Sequence, residues 1–147
     1  MIKKSVLFLC TANSARSLMA EALVNHDLGG RFEAFSAGTS PQTPRPEALR
    51  VLREIGIDFP GARSKSLDEF ASRTFDYVIT LCDRANETCP VFFGGVRRVH
   101  LGFDDPAAAS GTEEEVMAAF RRVRDQIRDV AEKYLLEAAG GQAKDTP

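Results

Sequence analysis

The sequence predicts a single α/β domain with three layers, in which helices cover a four-stranded parallel sheet. Short apolar runs alternate along the chain with segments of helical period, which is the pattern of a parallel sheet covered on both faces. The 147 residues are also enough to bury one core without help from a disulfide or a metal. We expect this domain to span residues 1–138 and a disordered tail to occupy residues 139–147.

Composition and charge exclude several classes of function. The net charge is −2 and both signs are interspersed, so the chain lacks the extended basic field that captures nucleic acid or an anionic membrane surface. The apolar run after Lys4 is too short for a signal-peptide core or a membrane span, and we expect a cytoplasmic protein. The three cysteines are an odd number in a compartment that keeps thiols reduced, so their predicted role is chemical.

The first part of the chain predicts strand, helix and strand. Residues 5–9 are the clearest buried strand, and residues 15–26 have a helical period that stops at a glycine pair. Residues 31–36 predict a second strand at an edge of the sheet, which Ala37-Gly38 then breaks.

The middle of the chain predicts two further helices and a third strand. A proline-rich loop at residues 41–46 opens a helix that Gly56 ends. Ser66 and Glu69 have the spacing of a capping box, which predicts the start of another helix. The third strand is expected at residues 76–81.

The last part of the chain predicts a short fourth strand at residues 99–101 and a long final helix. Thr112 and Glu115 form the capping box of this helix. Its apolar residues recur at spacings of three and four: Val116, Phe120, Val123, Ile127, Val130 and Tyr134. Charged residues on its other face, such as Arg121, Arg128 and Glu132, are interpreted as solvated surface.

The segment most suited to catalysis has the sequence C-T-A-N-S-A-R-S at residues 10–17, between the first strand and the first helix. A loop in this position directs backbone N–H groups and the positive end of the helix dipole at one point, which suits a tetrahedral oxyanion. The same field favours the thiolate of Cys10, the nucleophilic form. The alternative for Cys10 is a small buried hydrophobe that ends a strand.

The other residues of this loop have expected roles in holding the oxyanion. The Arg16 guanidinium can donate hydrogen bonds to two oxygen atoms of an oxyanion at once. Asn13 suits the left-handed backbone that such a loop requires. Ser17 or Thr11 can donate a hydroxyl to the sulfur. The expected binding and supporting residues are Thr11, Ala12, Asn13, Ser14, Ala15 and Ser17.

Three segments resemble one known family: residues 10–17, Ser36-Ala37-Gly38, and G-F-D-D-P at residues 102–106. They are similar to the low-molecular-weight protein tyrosine phosphatases and the arsenate reductases built on their fold, and the resemblance covers nearly the whole chain. It implies the strand order 2-1-3-4 and a general-acid role for Asp105, at the carboxyl edge where open parallel sheets bind ligands. The alternative is that residues 104–106 form only a turn and a helix cap.

Two further cysteines, Cys82 and Cys89, follow the third strand and favour the reductases within this family. The resemblance to thioredoxin-coupled arsenate reductases implies that Cys10 attacks arsenate with help from Asp105. Cys82 then attacks Cys10 and releases arsenite, and Cys89 attacks Cys82. Thioredoxin or another thiol donor is the expected reductant of the final disulfide, with no cofactor and with residual phosphatase activity.

The spacing of these two cysteines predicts a conformational change. Two residues seven apart on a helix are separated by about 10.5 Å at ~1.5 Å per residue. Bridged Cα atoms must come within roughly 7 Å. If residues 83–88 are helical in the reduced form, they must unwind on oxidation.

The chain departs from the family pattern at a few positions. Ala12 and Ala15 stand where many relatives have glycine and cysteine. Some reductases of this type hold a potassium ion near positions that match Asn13, Glu21 and Ser36, with an acidic residue where this chain has Lys65. No metal is therefore expected. The Lys65 ammonium can replace the ion as a fixed positive charge near Glu21, and the alternative is an exposed lysine.

Three other functions stay open at this point, and we expect a monomer in each case. The first is a tyrosine phosphatase, although Asp105-Pro106 is followed by alanines and by no aromatic residue that could stack on a phenol ring. The second is a non-catalytic oxyanion sensor. The third is a zinc site of the cysteines with His26 or His100, which the spacing of Cys82 and Cys89 disfavours.

Overall fold

The computed structural model describes residues 3–81 and 95–144. It contains a four-stranded parallel sheet in the order β2-β1-β3-β4, so the predicted α/β class and strand order are confirmed. The elements in chain order are β1 (Lys4–Cys10), α1 (Arg16–Asp27), β2 (Phe32–Gly38), α2 (Pro46–Glu54), β3 (Phe75–Thr80), β4 (Gly95–His100) and α3 (Glu113–Lys144). Single 3-10 turns lie at Leu67–Phe70 and Pro106–Ala108.

The central strand is β1, which pairs in parallel with β2 on one side and β3 on the other. Its residues 6–9 are fully buried, as a strand covered on both faces requires. Because all four strands are parallel, their carboxyl ends meet at one edge. Cys10 lies opposite Gly38 at this edge, and the ends of β3 and β4 carry Thr80 and His100.

The strand boundaries differ slightly from the predicted ones. β2 lies at an edge of the sheet as expected, but it continues through Ala37-Gly38 because it pairs with β1 as far as Cys10. The fourth strand begins at Gly95 rather than at residue 99, since it pairs with β3 along its length. Pairing to a neighbouring strand is a tertiary effect that the sequence pattern does not carry.

The helix signals had different outcomes. The Thr112–Glu115 capping box is confirmed, with reciprocal hydrogen bonds of 3.0 and 3.1 Å between side chains and backbone N–H groups. The helix predicted from Ser66 and Glu69 is wrong, because only one 3-10 turn forms there. Ser66 accepts a hydrogen bond from Asp68 N, but the Glu69 carboxylate pairs with Arg63 instead of returning to the cap.

The final helix α3 packs against α1 and α2. Its buried stripe follows Phe120, Val123 and Ile127 as predicted and then continues through Ala131 and Leu135. Val130 lies off this stripe and is 42% exposed, contrary to its predicted place on the apolar face.

The end of α3 lies at Lys144, so its last turns enter the stretch in which we expected a tail. Gly140 does not end the helix, because it lacks the left-handed backbone by which a glycine caps a helix. Residues 145–147 lie outside the described part, and the tail stays a prediction. Among the described residues, no helix has the length and apolar character needed to cross a membrane.

Candidate active site

The loop between β1 and α1 surrounds the sulfur of Cys10, which is almost fully buried. The Asn13 backbone N–H donates to the sulfur at 3.3 Å, and the Ser17 hydroxyl lies 2.9 Å from it. The Asn13 side-chain amide donates to the Ser17 oxygen at 2.7 Å, so the Ser17 hydroxyl keeps its own proton and can donate it to the sulfur. The sulfur therefore lies within hydrogen-bond distance of a backbone N–H and a hydroxyl.

The backbone of Asn13 is left-handed, with φ of 50°, as predicted from the sequence. It is the one non-glycine residue with positive φ in the described part of the chain. Its side-chain oxygen accepts the Lys65 backbone N–H at 2.7 Å, so the strained residue is held on both sides. Gly38 packs closely against this loop, because a Cβ atom there would come within 2.5 Å of the Thr11 carbonyl. Residues 36–38 thus contribute as the end of β2 and not as a turn.

The carbonyl groups of the loop are held on its outer side by hydrogen bonds from other segments. The backbone N–H groups of Thr39, Ser40, Gln42 and Arg45 donate to the carbonyls of Cys10, Thr11, Ala12 and Ser14 at 3.3, 2.9, 3.0 and 2.8 Å. The Ser64 hydroxyl donates to the Asn13 carbonyl at 2.7 Å. Fixing the carbonyls outward directs the N–H groups of the loop inward, the polarity that an oxyanion needs.

The general-acid candidate Asp105 lies beside Arg16, the first residue of α1. Asp105 Oδ2 is 3.7 Å from Arg16 Nη2, while Arg16 Nη1 donates to the Phe103 carbonyl at 3.1 Å. Asp105 Oδ1 accepts the Ala107 N–H at 3.0 Å and caps the short turn that follows. The turn-cap interpretation is confirmed, and the other carboxylate oxygen lies beside Arg16, so the two interpretations are compatible and the general-acid role stays a prediction.

These residues share one cavity of about 290 Å³. Its described lining is Cys10, Thr11, Ala12, Ser14, Ala15, Arg16, Gln42, Arg45, Asp105 and Ala107. Asn13 and Ser17 are fully buried behind this lining and support it. A larger cleft of about 390 Å³ lies between α2 and the start of α3, but no nucleophile lines it.

The sequence pattern did not predict that Gln42 and Arg45 line the cavity. It also did not predict that Ser64 supports the loop. The sequence indicates only a proline-rich loop at residues 41–46, and nothing in its pattern says where that loop packs. Cys82 and Cys89 lie outside the described residues, so the expected relay stays a prediction.

The side chain of Lys65 is directed inward behind the loop, so the exposed-lysine alternative is wrong. Its Nζ is 3.6 Å from Glu21 Oε1 and 3.4 Å from Ser36 Oγ, and it donates to the Arg63 carbonyl at 2.7 Å. The Ser36 hydroxyl donates to Glu21. Burial raises the pKa of Glu21, although the Ser36 hydrogen bond and the Lys65 charge oppose the shift. The ammonium thus supplies a fixed positive charge beside Glu21.

The two histidines lie away from the lining of this cavity. His26 is at the end of α1, with Nδ1 2.9 Å from Asp27, and His100 is on β4, with Nδ1 2.8 Å from the Thr80 hydroxyl. His26 thus lies at a helix end and His100 in a strand.

Comparison with known proteins shows the family of this chain. The family model for low molecular weight phosphotyrosine protein phosphatase matches residues 5–144. An arsenate reductase of Halalkalibacterium halodurans is 46% identical over 127 residues, which are 86% of this chain and 91% of the relative.

Two solved structures of arsenate reductases have the same fold. One, in its reduced state, is 28% identical with a TM-score of 0.74, over 92% of this chain and 98% of that one. A thioredoxin-dependent arsenate reductase of Corynebacterium glutamicum is 28% identical with a TM-score of 0.67, over 92% of this chain and 63% of that one. Together with the Cys10 loop, the family match over nearly all residues means that this chain belongs to the low molecular weight phosphotyrosine protein phosphatase family.

Proposed function

We propose that the protein is an arsenate reductase in which Cys10 is the nucleophile. The observation that carries this proposal is the buried Cys10 sulfur, which receives two hydrogen-bond donors in a cavity lined by Arg16 and Asp105. The chain is 46% identical to an arsenate reductase, and this similarity favours arsenate over other tetrahedral oxyanions.

The first step joins the Cys10 sulfur to arsenic. The thiolate attacks arsenate bound by the loop and by the planar guanidinium of Arg16. Asp105 supplies a proton to the departing oxygen, which leaves as water. This role is supported by the half-exposed carboxyl of Asp105, which lines the cavity beside Arg16.

The second step transfers two electrons to arsenic, and the third exchanges one disulfide for another. The Cys82 thiolate attacks the Cys10 sulfur, a Cys10–Cys82 disulfide forms, and arsenic(V) leaves as arsenite with the electron pair of the broken S–As bond. Cys89 then attacks Cys82, which frees Cys10 and leaves a Cys82–Cys89 disulfide. Thioredoxin or another dithiol donor reduces this disulfide and is itself oxidised.

The path of β3 supports this relay. Leu81, the residue before Cys82, donates its N–H to the Leu9 carbonyl at 2.8 Å, and Leu9 is the residue before Cys10. The Phe103 N–H donates to the Leu81 carbonyl at 3.1 Å, so the segment that bears Asp105 begins at the same place. The described chain thus reaches Leu81 beside Leu9, at the edge of the sheet that holds Cys10.

An NADPH-coupled assay with thioredoxin and thioredoxin reductase tests this proposal. Arsenate and an aryl phosphate are compared for the wild type, Cys82→Ser and Cys89→Ser. We expect both variants to lose arsenate turnover, and mass spectrometry of Cys89→Ser after one turnover to find a Cys10–Cys82 disulfide. Undiminished arsenate turnover in either variant contradicts the relay, and replacing thioredoxin by glutaredoxin and glutathione identifies the donor class.

The second candidate function is phosphatase activity, because Cys10, Arg16 and Asp105 suffice for ester hydrolysis. The described lining of the cavity contains no aromatic side chain to stack on a phenol ring, which disfavours phosphotyrosine as the main substrate. A dedicated phosphatase would hydrolyse the aryl ester efficiently in the assay above and be indifferent to the Cys82 and Cys89 substitutions.

A further inference from the structure

The Cys10 cavity is larger than an inorganic oxyanion needs. Its volume is about 290 Å³. A tetrahedral oxyanion displaces on the order of two or three water molecules, at ~30 Å³ each. The cavity therefore has room for a substituent on the oxyanion, and its lining outside the loop includes Gln42 and Arg45.

Arg45 differs from Arg16 in how far its charge is already paired. The Arg16 side chain is 12% exposed, donates to a carbonyl and faces Asp105. The Arg45 side chain is 40% exposed, and its ion-pair partner among the described residues is Glu47, with Nε 3.6 Å from Oε1. That separation is too long for a hydrogen bond, and both atoms are buried without one. Arg45 thus retains capacity to bind an anion.

The backbone holds Arg45 in place on the wall. Its N–H donates to the Ser14 carbonyl at 2.8 Å, and the next residue, Pro46, begins α2 with a fixed φ. Gln42 is held in the same way through its N–H and the Ala12 carbonyl, at 3.0 Å. The two side chains therefore start from a rigid wall, which lowers the entropic cost of binding a ligand there.

We propose that Arg45, together with Gln42, forms a second anion subsite in the outer part of the Cys10 cavity. It would recognise an acidic group carried by an oxyanion that sits in the loop, so the ligand class is small phosphonates, arsonates or phosphomonoesters with a carboxylate. The subsite deepens the proposed function and rests on its oxyanion-binding loop. The planar guanidinium supplies a bidentate contact to the carboxylate, and Gln42 adds a neutral donor.

Protection of Cys10 from alkylation tests the subsite without requiring turnover. Iodoacetamide labelling of Cys10 is followed by peptide mass spectrometry at ~0.15 M ionic strength, with inorganic phosphate, ethylphosphonate or phosphonoacetate as protectant. We expect phosphonoacetate to protect the wild type about fivefold more tightly than ethylphosphonate, as for a partly exposed charge pair. Arg45→Gln should abolish this preference and Arg45→Lys should reduce it.

Arg53→Gln is the matched control, because it removes the same charge from an exposed residue on α2 that does not line this cavity. It should keep the wild-type preference. Equal protection by the two phosphonates in the wild type overturns the subsite, as does a preference that persists in Arg45→Gln. If phosphate itself does not protect Cys10, the loop does not bind an oxyanion, and the proposed function fails as well.

Discussion

The two ends of α1 hold charge in different ways. At its N-terminal end, uncharged groups support the reactive residues: backbone carbonyls tied outward and the buried side chains of Asn13 and Ser17. At its C-terminal end, Asp27 meets Arg128 and Glu132 from α3, and side-chain charges make the contact. Backbone dipoles do not titrate, so we expect the hydrogen bonds that hold the loop backbone to tolerate changes of pH, whereas the far end responds to them.

The far end contains a carboxyl pair of unequal acidity. Arg128 forms two hydrogen bonds to Asp27, at 2.8 and 2.9 Å, and the pKa of Asp27 is lowered: burial opposes this, but hydrogen bonds from Glu132, His26 and Arg128 outweigh it. Burial, then the hydrogen bond to Asp27 and its charge, raises the pKa of Glu132 to about 8. Glu132 Oε2 is buried and has no hydrogen-bond partner among the described residues. These residues are thus more than the solvated surface predicted from the sequence.

The largest expected effect is on catalysis, and it tests whether the planar geometry of the Arg16 side chain matters more than its charge. Arg16→Lys keeps the charge but loses the planar fork, so we expect kcat/KM for arsenate to fall about 10²–10³-fold. Arg128→Lys makes the same change at the other end and should leave kcat/KM within about twofold, since α1 separates it from the loop. A loss below about tenfold for Arg16→Lys contradicts the role of the fork.

The next effect concerns the strained residue of the loop. Asn13→Ala leaves a left-handed alanine and removes the side-chain bonds to Ser17 and Lys65. We expect the free energy of unfolding to fall by about 2–4 kcal/mol in urea denaturation. Asn13→Gly removes the same bonds without the φ penalty and should recover about 1 kcal/mol of that loss. Equal stabilities of the two variants would mean that strain at residue 13 is negligible.

A smaller effect is expected behind the loop, where this end does contain a buried charge pair. Lys65→Met leaves the Glu21 carboxylate without its counter-charge and should lower the free energy of unfolding by about 1–3 kcal/mol at pH 8. Because the raised pKa of Glu21 keeps the folded state protonated to higher pH, the loss should shrink at low pH, where Glu21 is neutral in both states. Urea denaturation at pH 4 and pH 8 measures this difference. Lys133→Met, at an exposed lysine, is the control and should have no pH-dependent effect.

The smallest effect is the pH dependence of the C-terminal end. With a folded pKa of about 8 against 4.5, Glu132 binds its proton more tightly in the folded protein. Its contribution to stability is therefore complete below pH 4.5 and is lost as the pH rises to about 8. Glu132→Gln should remove this slope and be more stable than the wild type at pH 9, by about 1 kcal/mol after screening by solvent. The free energy of unfolding is measured against pH for both proteins, with the exposed Glu137→Gln as reference. Parallel curves for the wild type and Glu132→Gln contradict the raised pKa of Glu132.

Much of the candidate site was predictable because it depends on local signals. Cys10, Asn13 and Arg16 lie within one short segment, and strand-to-helix loops have a known polarity toward anions. Asp105 could be placed because parallel strands end at a common edge. The capping box at Thr112 held for the same reason, since both partners belong to one turn.

The predictions that failed depended on contacts that the local spacing of residues does not contain. Glu69 has the spacing of a capping residue, but Arg63 competes for its carboxylate. Val130 fits the apolar period of α3, yet the buried stripe turns to Ala131 and Leu135, because the neighbouring helices decide which face is covered.

The sequence by itself determined the order of the elements, the parallel sheet and the oxyanion loop with Cys10, since hydrophobic period, turn residues and loop polarity all act over a few residues. Only the tertiary structure decided that residues 39–45 hold the loop carbonyls, that Lys65 lies against Glu21, and that Asp27 meets Glu132. Such contacts join segments that are distant in sequence, and their energy depends on burial and distance, which exist only once the chain has folded.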